Sequence, residues 1–379
     1  MRAALQKASR VFPALLLLLL AGCASTPPEV AKTAEAIAPL PITNALPAAI
    51  VATAPAAPTN APIVAIVKPA PTPPRAKLPK KDLQVKLTQG TRTATIDNTR
   101  IYLLRNAEYD NKAKKAIPSA SDAKKTIAPL LTAHTQPLIQ GRPMRVFIDP
   151  GHGGSDPGAA SADGRHKESR LVLDIARLLE KKLEKAGFET RLSRTDHLRT
   201  QVLEERTLKA NNWKADLFIS IHLNANPSPE AHGIETYVLT PAGEFSTMDE
   251  KGPSTRTAPA AETGNANDTR NAQFGFAIHR RLVTATKLHD RGLRRARFAV
   301  LRGAKMPAVL VECGFLTSKR NLWFLTSKDG QEKIATALFE GICDYALGNL
   351  DANRPAYDPI KPLFAPRAIS PQPRTVTYA

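Results

Sequence analysis

Four places in this 379-residue chain bring chemistry-bearing side chains next to apolar, strand-like runs or helix starts. The first is Asp149-Pro150-Gly151-His152-Gly153-Gly154-Ser155-Asp156-Pro157-Gly158, a tight Gly/Pro loop with His152 inside it. The second is Ser220-Ile221-His222-Leu223-Asn224-Ala225, where His222 ends an apolar run. The third is Val311-Glu312-Cys313-Gly314-Phe315, in which a glutamate interrupts a core-like strand and therefore needs a partner or a job. The fourth is Glu168, at the start of a helical pattern. Singly, each has an ordinary structural reading: an acid suits a helix N-terminus, and a histidine is often satisfied in a core. Together they match one chemistry. Two imidazoles and a carboxylate bind zinc tetrahedrally and leave one position open; such a metal acidifies water and polarises a carbonyl. A second carboxylate must then move the proton, and Glu312 is the candidate.

The elements that would position these groups alternate strand and helix between residues 143 and 350. Arg145 to Ile148 reads as a short strand, and Glu168 to Ala186 as a helix with Leu171, Ile175, Leu178, Leu179 and Leu183 on one face and Gly187 as its stop. Phe188 to Leu192, Leu217 to Ile221, Ile234 to Leu239, Phe298 to Leu301 and Ala308 to Val311 read as strands. Gln201 to Trp213, Ala272 to Leu288 and Ile334 to Leu347 read as helices. The expected fold class is α/β: a mostly parallel sheet with helices on both faces. In such sheets sites lie at the carboxyl ends of strands, which is where His152, His222 and Glu312 fall.

With these stretches in this order, the chain resembles the zinc-dependent N-acetylmuramoyl-L-alanine amidases, the family 3 type of cell-wall amidase. The matching stretches are Ile148 to Gly154, Glu168, Ser220 to Ala225 and Val311 to Phe315, supported by Arg194, Asp196, Arg206 and Asn211. The resemblance spans about residues 143–347. It implies His152, Glu168 and His222 as zinc ligands and Glu312 as the catalytic acid/base. It also implies hydrolysis of the amide between the lactoyl group of N-acetylmuramic acid and L-alanine in peptidoglycan, in wall remodelling, turnover or daughter-cell separation. Asn224 is a candidate for orienting substrate or a ligand, and His232 a competing ligand or a plain loop histidine. The metal constellation alone does not separate an amidase from a zinc peptidase cutting the stem or cross-bridge. A non-catalytic wall-binding lipoprotein would require the loss of a ligand or of Glu312, and all four are present.

The rest of the chain sets location rather than chemistry. Arg2, Lys7 and Arg10 precede a short apolar core, Val11 to Leu20, and then Leu20-Ala21-Gly22-Cys23. Residues 1–22 thus read as a signal peptide, and the ending resembles a bacterial lipobox that makes Cys23 the lipidated first residue. Ala24, not aspartate, follows it, which by resemblance favours the periplasmic side of the outer membrane. Residues 23–74, rich in Ala and Pro, read as a tether without a core. Residues 75–142 carry 14 basic against 5 acidic side chains and read as a small basic α+β module or a stalk. Residues 143–350 carry 30 against 25, so most of the +19 net charge lies outside the periodic region. That charge suits an anionic envelope or glycan. Nucleic acid is a poor candidate for a chain read as exported, whose basic residues are not interleaved with aromatics. Residues 351–379, with six prolines, read as a disordered tail.

Two further features invite functional readings. Residues 241–270 form a long polar insertion within the 143–350 domain. Glu244, Asp249 or Glu250 in it could block the zinc site until an activator protein displaces the segment; a loop beside the groove is the simpler reading. Cys313 and Cys343 read as two buried free thiols rather than a disulfide. Cys313 alternates to the face opposite Glu312 and has no obvious histidine base, which argues against a thiol nucleophile.

Overall fold

The computed structural model describes residues 84–132, 142–198, 202–249 and 257–348. The expected signal peptide, Cys23, the Ala/Pro tether and the C-terminal tail lie outside the described residues. In chain order the strands are β1 (Val85–Leu87), β2 (Thr93–Ile96), β3 (Thr99–Tyr102), β4 (Glu108–Asp110) and β5 (Lys115–Ile117). They continue with β6 (Arg145–Pro150), β7 (Glu189–Leu192), β8 (Leu217–Asn224), β9 (Ile234–Leu239), β10 (Asp290–Ala296) and β11 (Ala308–Phe315). The helices are α1 (Ala120–Asp122), α2 (Ala128–Leu131), α3 (Glu168–Lys185), α4 (Leu203–Asn212), α5 (Asp268–Thr286), α6 (Ala299–Arg302), α7 (Lys319–Thr326) and α8 (Lys328–Ala346).

Nine strands form one sheet in the order β1-β2-β3-β10-β9-β11-β8-β6-β7. Five of its eight neighbouring pairs are parallel, which satisfies the mostly parallel expectation. The four strands β11, β8, β6 and β7 run the same way, whereas β9 and β10 run opposite to them.

Strand alternation divides the core into two layers. Val146, Ile148, Leu217, Ile219, Ile221, Val309 and Val311 pack on one face with α3, α5 and α8. Phe147, Phe218, Tyr237, Leu239, Ala308 and Leu310 pack on the other, thinner face with α4 and α6. The helix α3 follows from its sequence: Leu171, Val172, Ile175, Leu179 and Leu183 recur at three- and four-residue spacing and are buried, and Gly187, at φ 88°, ends it.

Three sequence expectations change. The Phe298 to Leu301 segment is not a strand; Ala299–Arg302 forms the short helix α6. The strand of this region lies just before it, Asp290-Arg291-Gly292-Leu293-Arg294-Arg295-Ala296. Its alternation is hidden because Arg291 and Arg294 pair with Glu235 of β9 and the buried Arg295 donates to the Lys125 carbonyl. The helix α7 was not expected, since its buried residues, Asn321 and Leu325, are too few to show a period.

The 75–142 segment, read as a module or stalk of its own, joins the main sheet where it is described. The strand β3 runs parallel to β10, and β2 and β1 continue outward from it. Asp290 accepts the Arg100 backbone N–H at 2.8 Å, Gln273 donates to the Pro129 carbonyl at 2.9 Å, and Arg295 donates to the Lys125 carbonyl at 3.0 Å. Its apolar residues Ile96, Ile101, Leu103 and Leu130 belong to the α3/α5/α8 core. Among the described residues, no helix is long and apolar enough to cross a membrane.

Candidate metal centre

His152 leaves β6 on a loop that the fold holds under constraint. Its φ of 60° is in the left-handed region, a conformation costly for a residue with a Cβ unless its surroundings impose it. Two buried arginines impose it. Arg194 donates to the carbonyls of Pro150 (3.1 Å), Gly151 (2.7 Å) and Ser169 (2.7 Å). Arg206 donates to Asp149 (2.9 Å) and to the carbonyls of Pro150 (3.2 Å) and His152 (3.1 Å). Burial, reinforced by the neighbouring Arg206 charge, lowers the Arg194 pKa to about 10. Asp149 is fully buried and also accepts from Ser193 (2.6 Å) and Ser220 (2.8 Å), so it locks β6 to β8 beneath the loop.

Glu168 reaches this loop from the first turn of α3. Its Oε2 accepts the Ala159 N–H at 2.7 Å, and its Oε1 accepts the Leu223 N–H at 3.0 Å. Oε1 also lies 3.2 Å from His152 Nε2 and 2.9 Å from His222 Nδ1. The side chain is buried, which by itself raises a carboxyl pKa. The contacts with His152 and His222 outweigh that and hold Glu168 well below the usual carboxylate range. His222 faces the same space because β8 puts Phe218, Ser220 and His222 on one side of the sheet.

His152, Glu168 and His222 each offer a ligand atom, all within 4.8 Å of one another. The surroundings are shaped for this group. A Cβ at Gly151 would land on the His222 imidazole, and one at Gly158 would collide with both Glu168 and His152. His152 Nδ1 lies 2.7 Å from Asp156 Oδ2, so its proton is directed there and Nε2 is left facing Glu168 and His222. A borderline-soft divalent cation fits two nitrogens and one oxygen so arranged.

Glu312 completes the arrangement. It is in register with His222 on the neighbouring strand and with Glu235 on the other side. Its Oε2 is shielded from solvent and carries no hydrogen bond among the described residues. Burial, followed by the charges of Glu168 and Glu235, pushes its pKa well above the ordinary carboxylate value. An unpartnered carboxylate with a raised pKa beside a metal-ligand group is what proton transfer requires.

The remaining candidates fall around this group or outside it. Asn224 does not face the centre alone: its Nδ2 donates to Glu235 Oε2 at 3.0 Å and its Oδ1 accepts the Ala225 N–H. His232 is outside the ligand group, with its Nδ1 at 2.6 Å from the Glu230 carbonyl. Cys313 and Cys343 are free and buried, as expected. Cys313 packs in the α3/α5/α8 layer, opposite Glu312, and burial pushes its thiol pKa up, away from a nucleophilic thiolate.

Of the two readings of the insertion, a blocking segment and a plain loop, its described parts place no carboxylate at the centre. The strand β9 runs antiparallel to β11, so the chain leaves Leu239 at the sheet edge opposite the centre. Glu244 is buried there, bonded to Ser121 (2.5 Å) and ion-paired to Lys125 and Arg105 (3.1 Å each). The Asp249 carbonyl accepts from Arg92 at 3.0 Å, and Glu250 lies outside the described residues.

Two functional residues escaped the sequence reading. Asp156 was visible, four residues after His152, but the loop path that brings its carboxylate to the ring was not. Glu235 reads as one polar position in a strand; only the β9–β11 pairing sets it opposite Glu312.

A mixed α/β sheet that gathers, at one edge, two histidines and a glutamate able to hold a metal ion, with a second glutamate beside them, defines a hydrolase-type site. The family model described as N-acetylmuramoyl-L-alanine amidase matches residues 146–344, and the chain belongs to this family. It is 31% identical over 249 residues to N-acetylmuramoyl-L-alanine amidase AmiA of Escherichia coli (strain K12), covering 60% of this chain and 85% of that protein. It is 30% identical over 255 residues to AmiC of Neisseria meningitidis serogroup B, covering 62% of this chain and 59% of that one. The catalytic domain of the amidase CwlV from Bacillus (Paenibacillus) polymyxa var. colistinus is 30% identical. The match covers 53% of this chain and 97% of that one, with a TM-score of 0.44.

Proposed function

We propose that the chain is a zinc-dependent amidase that cuts peptidoglycan between the lactoyl carbonyl of N-acetylmuramic acid and L-alanine, stripping stem peptides during cell-wall remodelling. The observation that carries the reading is the His152/Glu168/His222 group beside the unpartnered Glu312 carboxylate. Zinc, when bound, supplies a Lewis acid that polarises the amide carbonyl and brings the pKa of water towards about 7. His152, Glu168 and His222 would hold it. Asp156 keeps the His152 Nδ1 proton away from the ligand face, and the Ala159 and Leu223 N–H groups orient Glu168. Glu312 takes the proton of the attacking water and returns it to the alanine nitrogen as the C–N bond breaks. Its raised pKa suits both halves of that transfer.

The proposal includes a location: lipidation at Cys23 tethers the domain to the periplasmic face of the outer membrane. The Ala/Pro-rich stretch that follows, residues 24–74, fits a spacer towards the wall. A Cys23→Ser chain that is still recovered in the membrane fraction would remove that part of the reading.

The activity test uses the full chain on purified peptidoglycan, with zinc and with a chelator, and identifies new ends by mass spectrometry. Free L-alanine amino termini that disappear with chelator support the reading. Glu312→Gln should keep stoichiometric zinc while losing roughly 10²–10⁴-fold in rate. New ends at a peptide bond of the stem or cross-bridge would instead make the chain a peptidase.

A further inference from the structure

Arg291 stands at the start of β10, at the same sheet edge as the metal-ligand group. The strand β10 begins opposite Ile234 of β9, and Glu235, the next residue, is in register with Glu312. The Arg291 Nε donates to Glu235 Oε1 at 2.8 Å. Its guanidinium carbon lies 4.9 Å from the centroid of the Phe315 ring, and Phe315 is in register with Asn224, two residues beyond His222. Glu235 is itself fixed through Oε2 by Asn224 (3.0 Å) and by the Tyr237 hydroxyl (2.8 Å). A closed set of contacts therefore runs from the arginine back to the strands that carry His222 and Glu312.

This clamp uses one nitrogen and one face of the guanidinium. Among the described residues the two terminal nitrogens carry no hydrogen bond, and the side chain remains 30% exposed. That leaves the edge that fits a carboxylate with two parallel hydrogen bonds. An arginine already immobilised loses little further freedom on binding. Neutralising Glu235 does not by itself account for Arg291, because Arg294 Nε lies 3.5 Å from the same Glu235 oxygen.

The amidase substrate has charge on one side only. The lactoyl carboxyl is consumed in the scissile amide, and the N-acetylated sugars are neutral. The anionic groups of the unit are the carboxylates of the stem peptide. We propose that Arg291 is a substrate-binding residue whose terminal nitrogens hold a carboxylate on the peptide side of the scissile bond, and so select for an unamidated stem. This rests on the amidase reading above.

The test compares two soluble muropeptides that differ only in the carboxylate nearest the alanine: free in one, converted to the primary amide in the other. The zinc-loaded full chain should prefer the free acid by about tenfold in kcat/KM, most of it in KM. Arg291→Gln should lose about tenfold more on the free acid than on the amide, so that the preference vanishes. Arg291→Lys, which keeps the charge without the fork, should restore part of the preference. Equal losses on both muropeptides in Arg291→Gln, or a wild type that does not discriminate, would overturn the inference and leave the amidase reading intact. Failure of the wild type to release an alanine amino terminus from either muropeptide would remove both. Melting curves of the variants separate a binding defect from a loss of fold.

Discussion

Asp156 meets His152 across four residues of chain at 2.7 Å, and the consequence belongs to the metal. A carboxylate that accepts the Nδ1 proton fixes the tautomer and makes the ring a better ligand. Asp156→Ala should therefore weaken zinc binding by roughly 10- to 100-fold, measured by competition with a chromophoric chelator, with little change in the circular dichroism spectrum. Unchanged affinity would mean that the constrained loop alone orients the imidazole. Arg194 and Arg206 act at this scale too. They donate to the carbonyls of Pro150, Gly151 and His152, which is why a histidine with φ at 60° persists there. The types of the ligand residues are legible in sequence because each sits in a short, locally distinctive motif. Their mutual distances are not, because Glu168 arrives from a helix on the opposite face of the sheet from His222.

Among the elements, β10 is the one whose sequence hides it. Its charged residues are satisfied laterally: Asp290 accepts from the Arg100 and Gly292 N–H groups at 2.8 Å each and lies 2.9 Å from His279 Nε2. Burial alone would raise the Asp290 pKa. The contact with His279 and the two N–H groups outweigh it and hold the carboxyl below its ordinary 3.8. An acid lowered on folding contributes stability above its unfolded pKa and loses it as pH falls through its folded value. Asp290→Asn should therefore cost about 1–3 kcal/mol near neutral pH, and the gap to wild type should close below pH 3.8, read from denaturant melts across pH. A gap that persists undiminished at the acid end would assign the loss to packing rather than charge. The 241–270 insertion is decided at this scale as well. The direction of β9 carries its described parts away from the metal centre, so replacing residues 250–256 with a Gly/Ser stretch of equal length should leave the rate within about twofold. A large rise in rate would restore an autoinhibitory role.

Considered as a whole molecule, the sheet does not begin at residue 143. The described part of the 75–142 segment supplies three strands and the apolar residues Ile96, Ile101, Leu103 and Leu130. It also supplies the partners of Glu244. A chain starting at residue 142 would uncover the edge of β10 and leave Glu244 buried without its cations. It should aggregate or melt well below a chain starting at Ala76, the residue at which the compact unit begins. Size-exclusion chromatography and thermal melts of the two chains check this; equal stability would make the segment a spacer after all.

Sequence alone determined the alternation of strands and helices outside β10, α6 and α7, the four chemistry-bearing residue types and the face on which Cys313 lies. Each of these follows from short-range periodicity or from a few adjacent residues, for which local sterics and burial suffice. Tertiary structure decided the strand order, the reversed direction of β9 and β10, the docking of β1 to β3 and the meeting of Glu235 with Glu312 and Arg291. These depend on pairing between segments far apart in the chain. There a polar residue such as Arg291 or Asp290 looks solvent-facing until the element that neutralises it is in place.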